Sequence, residues 1–101
     1  MPLSNDEKKA YRSIGHKLNP IVTVASNGLT EAVLDELNRA LDDHELIKIK
    51  IAVGDRELKK EAVEDVVEST GAILVQQIGN TALLLRRNPK AKANLSNLQR
   101  F

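Results

Sequence analysis

The residues best suited to chemistry lie in the stretch Ala25-Ser-Asn-Gly-Leu-Thr30. The β-branched run Ile21–Val24 before it favours a strand, and Asn27 and Gly28 are the residue types that best tolerate the positive φ needed to reverse the chain. Thr30 is a candidate helix N-cap, so unpaired backbone N–H groups and the positive end of a helix dipole should converge beside the loop. That arrangement suits a phosphate group or another anion. An ordinary strand-to-helix turn explains the same residues without any ligand.

The charges of the chain are distributed unevenly along it. Residues 1–28 carry four basic and two acidic groups, residues 29–68 carry six and twelve, and residues 69–101 carry five and none, although the formal net charge is only +1. Basic ends around an acidic middle are typical of a protein with a face for nucleic acid. A solvated surface can have the same pattern, so charge alone leaves both interpretations open.

The composition excludes several kinds of catalytic and metal site. The chain has no cysteine, which removes disulfides, thiolate catalysis and Cys-based zinc sites and suits a reducing compartment. His16 and His44 lack the i,i+4 spacing of paired metal ligands, so we expect no metal. No Gly-x-x-x-x-Gly-Lys, Gly-x-Ser-x-Gly or His-Glu-x-x-His motif occurs. We therefore expect no enzyme, no cofactor and no small-molecule substrate.

Length and hydropathy limit the architecture. A chain of 101 residues is enough for one hydrophobic core and too short for two. No apolar run approaches the roughly 18 residues needed to span a bilayer, and the N-terminus lacks the apolar centre of a signal peptide. We therefore expect a single cytoplasmic domain that makes no contact with a membrane.

A first helix is predicted over residues 5–17. Ser4 and Glu7 have the spacing of a capping box, and the helix should end before Pro20, because proline disfavours the α conformation in the residue preceding it. At about 100° per residue the apolar side chains fall on one side of this helix. The opposite, solvent-facing side carries Lys8, Lys9, Arg12 and His16, and Lys17 follows directly.

The remaining elements alternate in type. Apolar periodicity predicts helices over residues 30–43 and 56–70 and strands over 44–53, 72–78 and 81–87, the last two joined by a tight Gly-Asn turn. In the third helix the predicted buried stripe consists of Leu58, Ala62, Val63, Val66 and Val67.

The strand 44–53 alternates isoleucine with lysine. Its isoleucines should pack under the helices, which leaves Lys48 and Lys50 side by side on the open face of the sheet. These lysines could contact an anion, or they could simply keep the strand soluble.

The element order α-β-α-β-α-β-β indicates an α/β fold of the two-layer α+β kind. Two successive strand-helix-strand units imply parallel pairing, and the closing hairpin should add an antiparallel edge to a mixed four-stranded sheet with helices over its apolar face. Residues 1–87 should form the domain. The basic segment 88–101 has weak periodicity, so we expect a mobile or loosely docked tail.

Five spaced motifs resemble the CRM domain family (chloroplast RNA splicing and ribosome maturation), in particular its small bacterial stand-alone members of the YhbY type. The likeness covers residues 3–87. It depends on residues 15–20 (Gly-His-Lys-Leu-Asn-Pro), the loop 25–30, residues 44–50 (His-Glu-Leu-Ile-Lys-Ile-Lys), residues 70–72 (Thr-Gly-Ala), and residues 78–81 (Ile-Gly-Asn-Thr) with Leu85-Arg86. Two positions depart from the family pattern, because Ala25 replaces the first glycine of its Gly-x-x-Gly loop and Leu85 replaces a frequent aromatic residue.

The resemblance implies a non-catalytic RNA-binding protein with a fold similar to the C-terminal domain of translation initiation factor three. It also implies association with ribosomal RNA in large-subunit precursors during ribosome assembly. Since the chain contains only two aromatic residues, phosphate contact should dominate over base stacking. The expected RNA-binding residues are Ala25, Ser26, Asn27, Gly28, Thr30, Lys8, Lys9, Arg12, His16, Lys17, Lys48, Lys50, Arg86 and Arg87.

The acidic second helix supports an alternative hypothesis. Its outer side carries Glu31, Asp35, Glu36, Asp42 and Asp43, which should not approach phosphate. The chain could therefore be a protein-interaction module that docks this face on a basic ribosomal protein or assembly factor.

Overall fold

The secondary structure closely follows the predicted order in residues 3–100, the part of the chain that this computed structural model describes. The elements are α1 (Asn5–Gly15), β1 (Pro20–Ala25), α2 (Glu31–His44), β2 (Leu46–Ala52), α3 (Arg56–Thr70), β3 (Ile73–Ile78), β4 (Thr81–Leu85) and a short α4 (Asn97–Arg100). The predicted capping box is confirmed, because the Ser4 side chain accepts from the Glu7 N–H and the Glu7 side chain accepts from the Ser4 N–H.

The four strands form one mixed sheet in the order β1-β2-β4-β3. The parallel β1–β2 pair and the mixed sheet confirm the prediction. The hairpin adds the predicted antiparallel edge, but the second predicted parallel pairing does not form, because β4 lies between β2 and β3 and is antiparallel to both. The sequence of β4 suits a central strand, since its residues Ala82–Leu85 are apolar in succession and all are buried.

Helices cover both faces of the predicted mixed sheet, because α1 packs on the face opposite α2 and α3. Ile47, Ile49 and Ile51 of β2 pack in a core with side chains of α2 and α3. The opposite face has a second, smaller core, in which Leu46 and β4 side chains meet Tyr11 and other apolar residues of α1 and the C-terminal segment. The face that carries Lys48 and Lys50 is therefore only partly open.

A close contact at Gly15 determines how near α1 lies to the sheet. Gly15 is buried, and a Cβ atom at this position would lie only 2.6 Å from Cδ2 of Leu83 in β4. Because Leu83 pairs with Lys48 across the β2–β4 ladder, the end of α1 lies beside the lysine-bearing strand. The missing side chain at position 15 thus helps to bring the α1 cations towards β2.

The predicted mobile or loosely docked tail is instead packed against the end of β2. The Ser96 hydroxyl donates to the Glu45 carboxylate at 2.8 Å, and the Asn97 side chain donates to the Leu46 carbonyl at 2.7 Å. Ser96 and Asn97 are buried, and Leu98 packs in the smaller core. These anchoring contacts are mostly polar and specific, so they leave little apolar periodicity in the sequence.

Candidate nucleic-acid interface

The loop 25–28 is exposed at the carboxyl end of β1. Ala25 and Asn27 are exposed and Gly28 is half-buried. The Gly28 N–H donates to the Ala25 carbonyl at 2.9 Å, which closes the turn. Gly28 has a φ of 80°, where glycine is strongly preferred. Ala25 is the last residue of β1 and has no positive φ, so its methyl group adds no backbone strain to the loop.

The loop leads directly into α2 through the predicted N-cap. The Thr30 hydroxyl accepts from the Val33 N–H at 3.2 Å, which confirms Thr30 as the cap. Thr30 is itself exposed. Among the turn, loop and cap hydrogen bonds of the described chain, none is donated by the Asn27 N–H. The loop therefore presents an unused backbone donor at Asn27 beside the positive end of the α2 dipole.

Three lysines lie along the sheet face that carries α1, and we refer to Lys17, Lys48 and Lys50 as the lysine face. Lys17 and Lys48 line one cavity of about 240 Å³. Lys50 is exposed and pairs with Thr23 of β1, two residues before the pair Ala25–Ala52 at the loop. At about 3.3 Å per strand residue, the backbone of Lys50 lies roughly 7 Å from the start of the loop. The structure thus brings Lys50 close to the loop, whereas Lys48 pairs with Pro20 at the other end of β1.

The α1 cations continue this basic surface onto the helix. Lys9, Arg12 and His16 are exposed and Lys8 is half-buried. The described part of the chain contains two salt bridges, and neither involves an α1 cation.

Arg86 does not join this surface, and its placement corrects its assignment as an RNA-binding residue. Its guanidinium donates to the side chain of Asn38 at 2.8 Å, the carbonyl of Asn38 at 3.0 Å, the carbonyl of Thr70 at 2.7 Å and the carboxylate of Asp42 at 2.9 Å. Four acceptors nearly saturate the five N–H donors of an arginine. Arg86 therefore ties the end of β4 to α2 and α3 and has little capacity for a phosphate.

Arg87 also has intramolecular partners, on the opposite side of the sheet. It donates to the Tyr11 hydroxyl at 2.7 Å and to the Glu7 carboxylate at 2.8 Å. The hydrogen bond to Tyr11 and then that to Glu7 raise the pKa of Arg87. The backbone hydrogen bond from Ser4 and then the side-chain bond from Arg87 lower the pKa of Glu7. Both arginines lie at the end of the sheet away from the loop, because Leu85 pairs with Leu46.

Acidic side chains concentrate on the other layer of the molecule. Helices α2 and α3 hold most of the carboxylates, and those exposed to solvent include Glu31, Asp35, Glu36, Asp42, Glu57, Glu61, Glu64, Asp65 and Glu68. This layer packs against the sheet face opposite the lysine face. The charge blocks of the sequence therefore become two oppositely charged sides of the fold.

Sequence analysis missed a groove beside the loop. Ser26 and Gly28 form one wall of this groove, whose volume is about 300 Å³, and α3 contributes Leu58, Glu61 and Asp65. Leu58 was predicted to be buried, but 53% of it is exposed, because it lies in the first turn of α3 and lines this open groove. The i, i+3, i+7 spacing of these α3 residues was the available signal for a shared side.

Residues 3–100 contain neither a metal-binding cluster nor a membrane-spanning helix. No group of three or more His, Asp or Glu side chains among them is arranged to hold a metal ion. None of their helices combines the length and the apolar character that crossing a membrane requires.

The comparisons with known proteins give a consistent result. A probable RNA-binding protein of Pseudomonas aeruginosa is 50% identical over 101 residues, covering 100% of this chain and 97% of that protein. An RNA-binding protein of Haemophilus influenzae is 44% identical, covering 92% and 94%. The solution structure of a Staphylococcus aureus protein, described as an RNA-binding candidate, superposes with a TM-score of 0.77 at 30% identity, covering 90% of this chain and 95% of that one.

The match to a domain family covers most of the chain and agrees with the fold. The CRS1 / YhbY (CRM) domain aligns with residues 3–86, which include α1, the loop 25–28, the lysine face and the hairpin. The resemblance noted from five motifs is thereby confirmed. This chain belongs to the CRS1 / YhbY (CRM) domain family.

Proposed function

We propose that this chain is a non-catalytic RNA-binding protein that contacts folded ribosomal RNA in large-subunit precursors and assists ribosome assembly. The observation that supports the proposal is the proximity, along the β1–β2 pair, of the exposed Lys50 to the exposed loop 25–28. The names of relatives that match nearly the whole chain support RNA as the partner.

The geometry suggests how a phosphate backbone would be held. The Asn27 N–H would donate to one phosphate, as the N-terminal end of a helix commonly does. Lys48 and Lys50 would neutralise neighbouring phosphates, and Arg12 on α1 would extend the contact. The chain offers little aromatic surface, so affinity should come mainly from phosphate and from RNA shape.

Salt dependence tests the proposal directly. The affinity of the full chain for a folded fragment of large-subunit ribosomal RNA would be measured at 50 and 200 mM salt. If about four phosphates are neutralised, affinity should fall roughly 100-fold over this range. An affinity that does not change with salt would refute phosphate-dominated binding.

Variants with reversed charges identify which surface binds RNA. The strand variant Lys48→Glu with Lys50→Glu and the helix variant Lys9→Glu with Arg12→Glu should each weaken RNA binding at least tenfold. The control variant Arg39→Glu with Lys60→Glu changes the net charge by the same amount on α2 and α3, and it should change affinity much less. Equal losses in all three variants would show that only net charge matters, and circular dichroism would verify folding.

The assembly role needs a separate measurement. In cell lysates fractionated by sedimentation, the tagged chain should migrate with large-subunit precursors, and the strand variant should remain in the unbound fractions. Migration with small subunits, or none with any ribosomal particle, would contradict this part of the proposal.

The acidic side of α2 and α3 favours a second candidate function, docking on a basic ribosomal protein or assembly factor. Replacing Asp35 and Glu36 with lysine should then abolish association with precursor particles, while affinity for the isolated RNA fragment is retained or increased. If the particles still bind this variant, the acidic side is not required for association.

A further inference from the structure

The groove beside the loop is lined by apolar side chains and by two carboxylates, which are hydrogen-bond acceptors. Val24, Leu29 and Val53 line it together with Leu58, one of the few large apolar side chains that the structure leaves exposed. Glu61 and Asp65, one helical turn apart on α3, line the same groove. At neutral pH ionised carboxylates accept hydrogen bonds and donate none. The groove therefore suits a flat, partly apolar group that carries hydrogen-bond donors on its edge.

The adjoining loop limits the kind of molecule that can place such a group in the groove. Ser26 and Gly28 belong to the proposed phosphate-binding loop and also line the groove. The carboxylates repel phosphate, so a nucleotide whose phosphate lies on the loop can enter the groove only with its base. The groove volume of about 300 Å³ is at the small end of ligand sites, which suits one base better than a longer segment.

We infer that this groove binds a single unstacked RNA base that carries amino and imino donors, and that it binds guanine more tightly than the other bases. The Watson–Crick edge of guanine presents N1–H and the N2 amino group as adjacent donors, which two carboxylate acceptors complement. Adenine and cytosine offer one amino group next to a ring acceptor, and uracil offers one imino group between two acceptors. This inference rests on the proposed function, and it assigns base selectivity to Glu61 and Asp65 with Leu58 as the apolar support.

A set of matched RNAs tests the inference. Four hairpins would differ only in one unpaired nucleotide (G, A, C or U), and the affinity of the full chain for each would be measured at one salt concentration. The wild-type chain should bind the G hairpin about tenfold more tightly than the U hairpin, the discrimination expected of a good pair of base-edge hydrogen bonds.

Two variants separate hydrogen bonding from charge. Glu61→Gln with Asp65→Asn removes two negative charges near the RNA, so affinity for the U hairpin should be unchanged or higher, while the G to U ratio falls to about one. The control Glu64→Gln with Glu68→Gln removes two charges from α3 at positions that do not line the groove, and it should keep the ratio. Leu58→Ala, at an exposed position, should weaken binding of the G hairpin more than that of the U hairpin.

The outcomes distinguish this inference from the proposed function. Absence of binding to every hairpin would contradict the proposed function itself. Binding of all four hairpins with equal affinity, or a G preference that persists in the Glu61 and Asp65 variant, would overturn only the groove assignment. Specific binding of a Lys-rich apolar peptide in the groove without any base preference would also overturn it and would assign the groove to a basic protein segment.

Discussion

The two ends of the sheet use similar polar residues in opposite ways. The open end consists of the loop 25–28, residues 53–55 and the hairpin turn 79–80, and most of its residues are exposed. The anchored end consists of Glu45, Arg86, Arg87 and the tail 88–98, where charged and polar groups are joined by intramolecular hydrogen bonds. The difference shows that a polar group is available for a ligand only where the fold does not already supply its hydrogen-bonding partner.

Glu45 illustrates that polar residues at the anchored end stabilise the fold. This residue is buried and has a φ of 62°, the only positive φ outside glycine among the described residues. Its carboxylate accepts from the Asn88 N–H and the Ser96 hydroxyl, and its carbonyl accepts from the Arg86 N–H. Such a strained backbone costs of order 1–3 kcal/mol, which these hydrogen bonds offset.

The largest predicted effect is at the anchored end. Arg86→Met should lower the free energy of unfolding by about 3 kcal/mol, because it removes four charge-assisted hydrogen bonds and leaves partly buried acceptors unpaired. Arg39→Met, at an exposed position of α2, should change it by less than about 0.5 kcal/mol. Urea denaturation measures both. A loss below about 1 kcal/mol for Arg86→Met would contradict a structural role for this arginine.

Two serines, one at each end of the sheet, allow a finer comparison of how much each end contributes to the free energy of unfolding. Ser96→Ala should cost about 1–2 kcal/mol of unfolding free energy, since it removes a buried donor to the Glu45 carboxylate. Ser26→Ala, in the exposed loop, should cost almost none, although it affects a residue of the proposed RNA surface. Equal costs in chemical denaturation would mean that the tail contributes no more to stability than the loop does.

A pair of glycines isolates backbone strain at the open end. An added Cβ atom meets nothing within 4 Å at Gly28 or at Gly54, but only Gly28 has a positive φ. Gly28→Ala should therefore cost about 1 kcal/mol of unfolding free energy, and Gly54→Ala distinctly less. Thermal or urea unfolding of the two variants checks this. Similar costs would show that the loop relaxes to another turn.

The smallest predicted effect concerns the pH dependence of the anchored end. The pKa of Glu7 is lowered from its ordinary value of 4.5, so this group stabilises the fold above that pH, and the contribution is lost as the pH falls through the lower folded-state value. Glu7→Gln should make the decline of stability in acid slightly shallower. The Glu7 side chain is 42% accessible to solvent, so the change should be small. Urea titrations at pH 7 and pH 3 with Asp6→Asn as control test it, and an unchanged acid decline would contradict the assignment.

The motifs that identify the family explain architecture more directly than binding. Gly15 permits the close contact of α1 with Leu83, the Thr70 carbonyl accepts from Arg86, and the Asn80 carbonyl accepts from the Ile51 N–H. Among the motif residues, the loop, the lysine-bearing strand and the pair His16-Lys17 belong to the proposed surface. A family can therefore be recognised from residues whose main role is to build the scaffold.

The amino-acid sequence by itself determined the local elements and their caps. The helix caps at Ser4 and Thr30 depend only on neighbours within a few residues, and so does the alternation of Lys48 with isoleucine. Such features can be predicted from the sequence because they follow from local hydrogen-bond geometry and strand periodicity. The positions of the loop and of the basic helix followed from the same local rules, and Lys9, Arg12 and His16 are exposed as predicted.

Only the tertiary structure decided which polar groups have partners. Contacts between distant residues place β4 in the centre of the sheet, saturate Arg86 with acceptors from α2 and α3, and bury Ser96 against Glu45. They also leave Leu58 exposed beside the loop. No local pattern encodes these outcomes, because a hydrogen bond across some 50 residues depends on where the whole fold places the two groups. The sequence therefore supplied the candidate cations, and the fold determined which remain available to bind RNA.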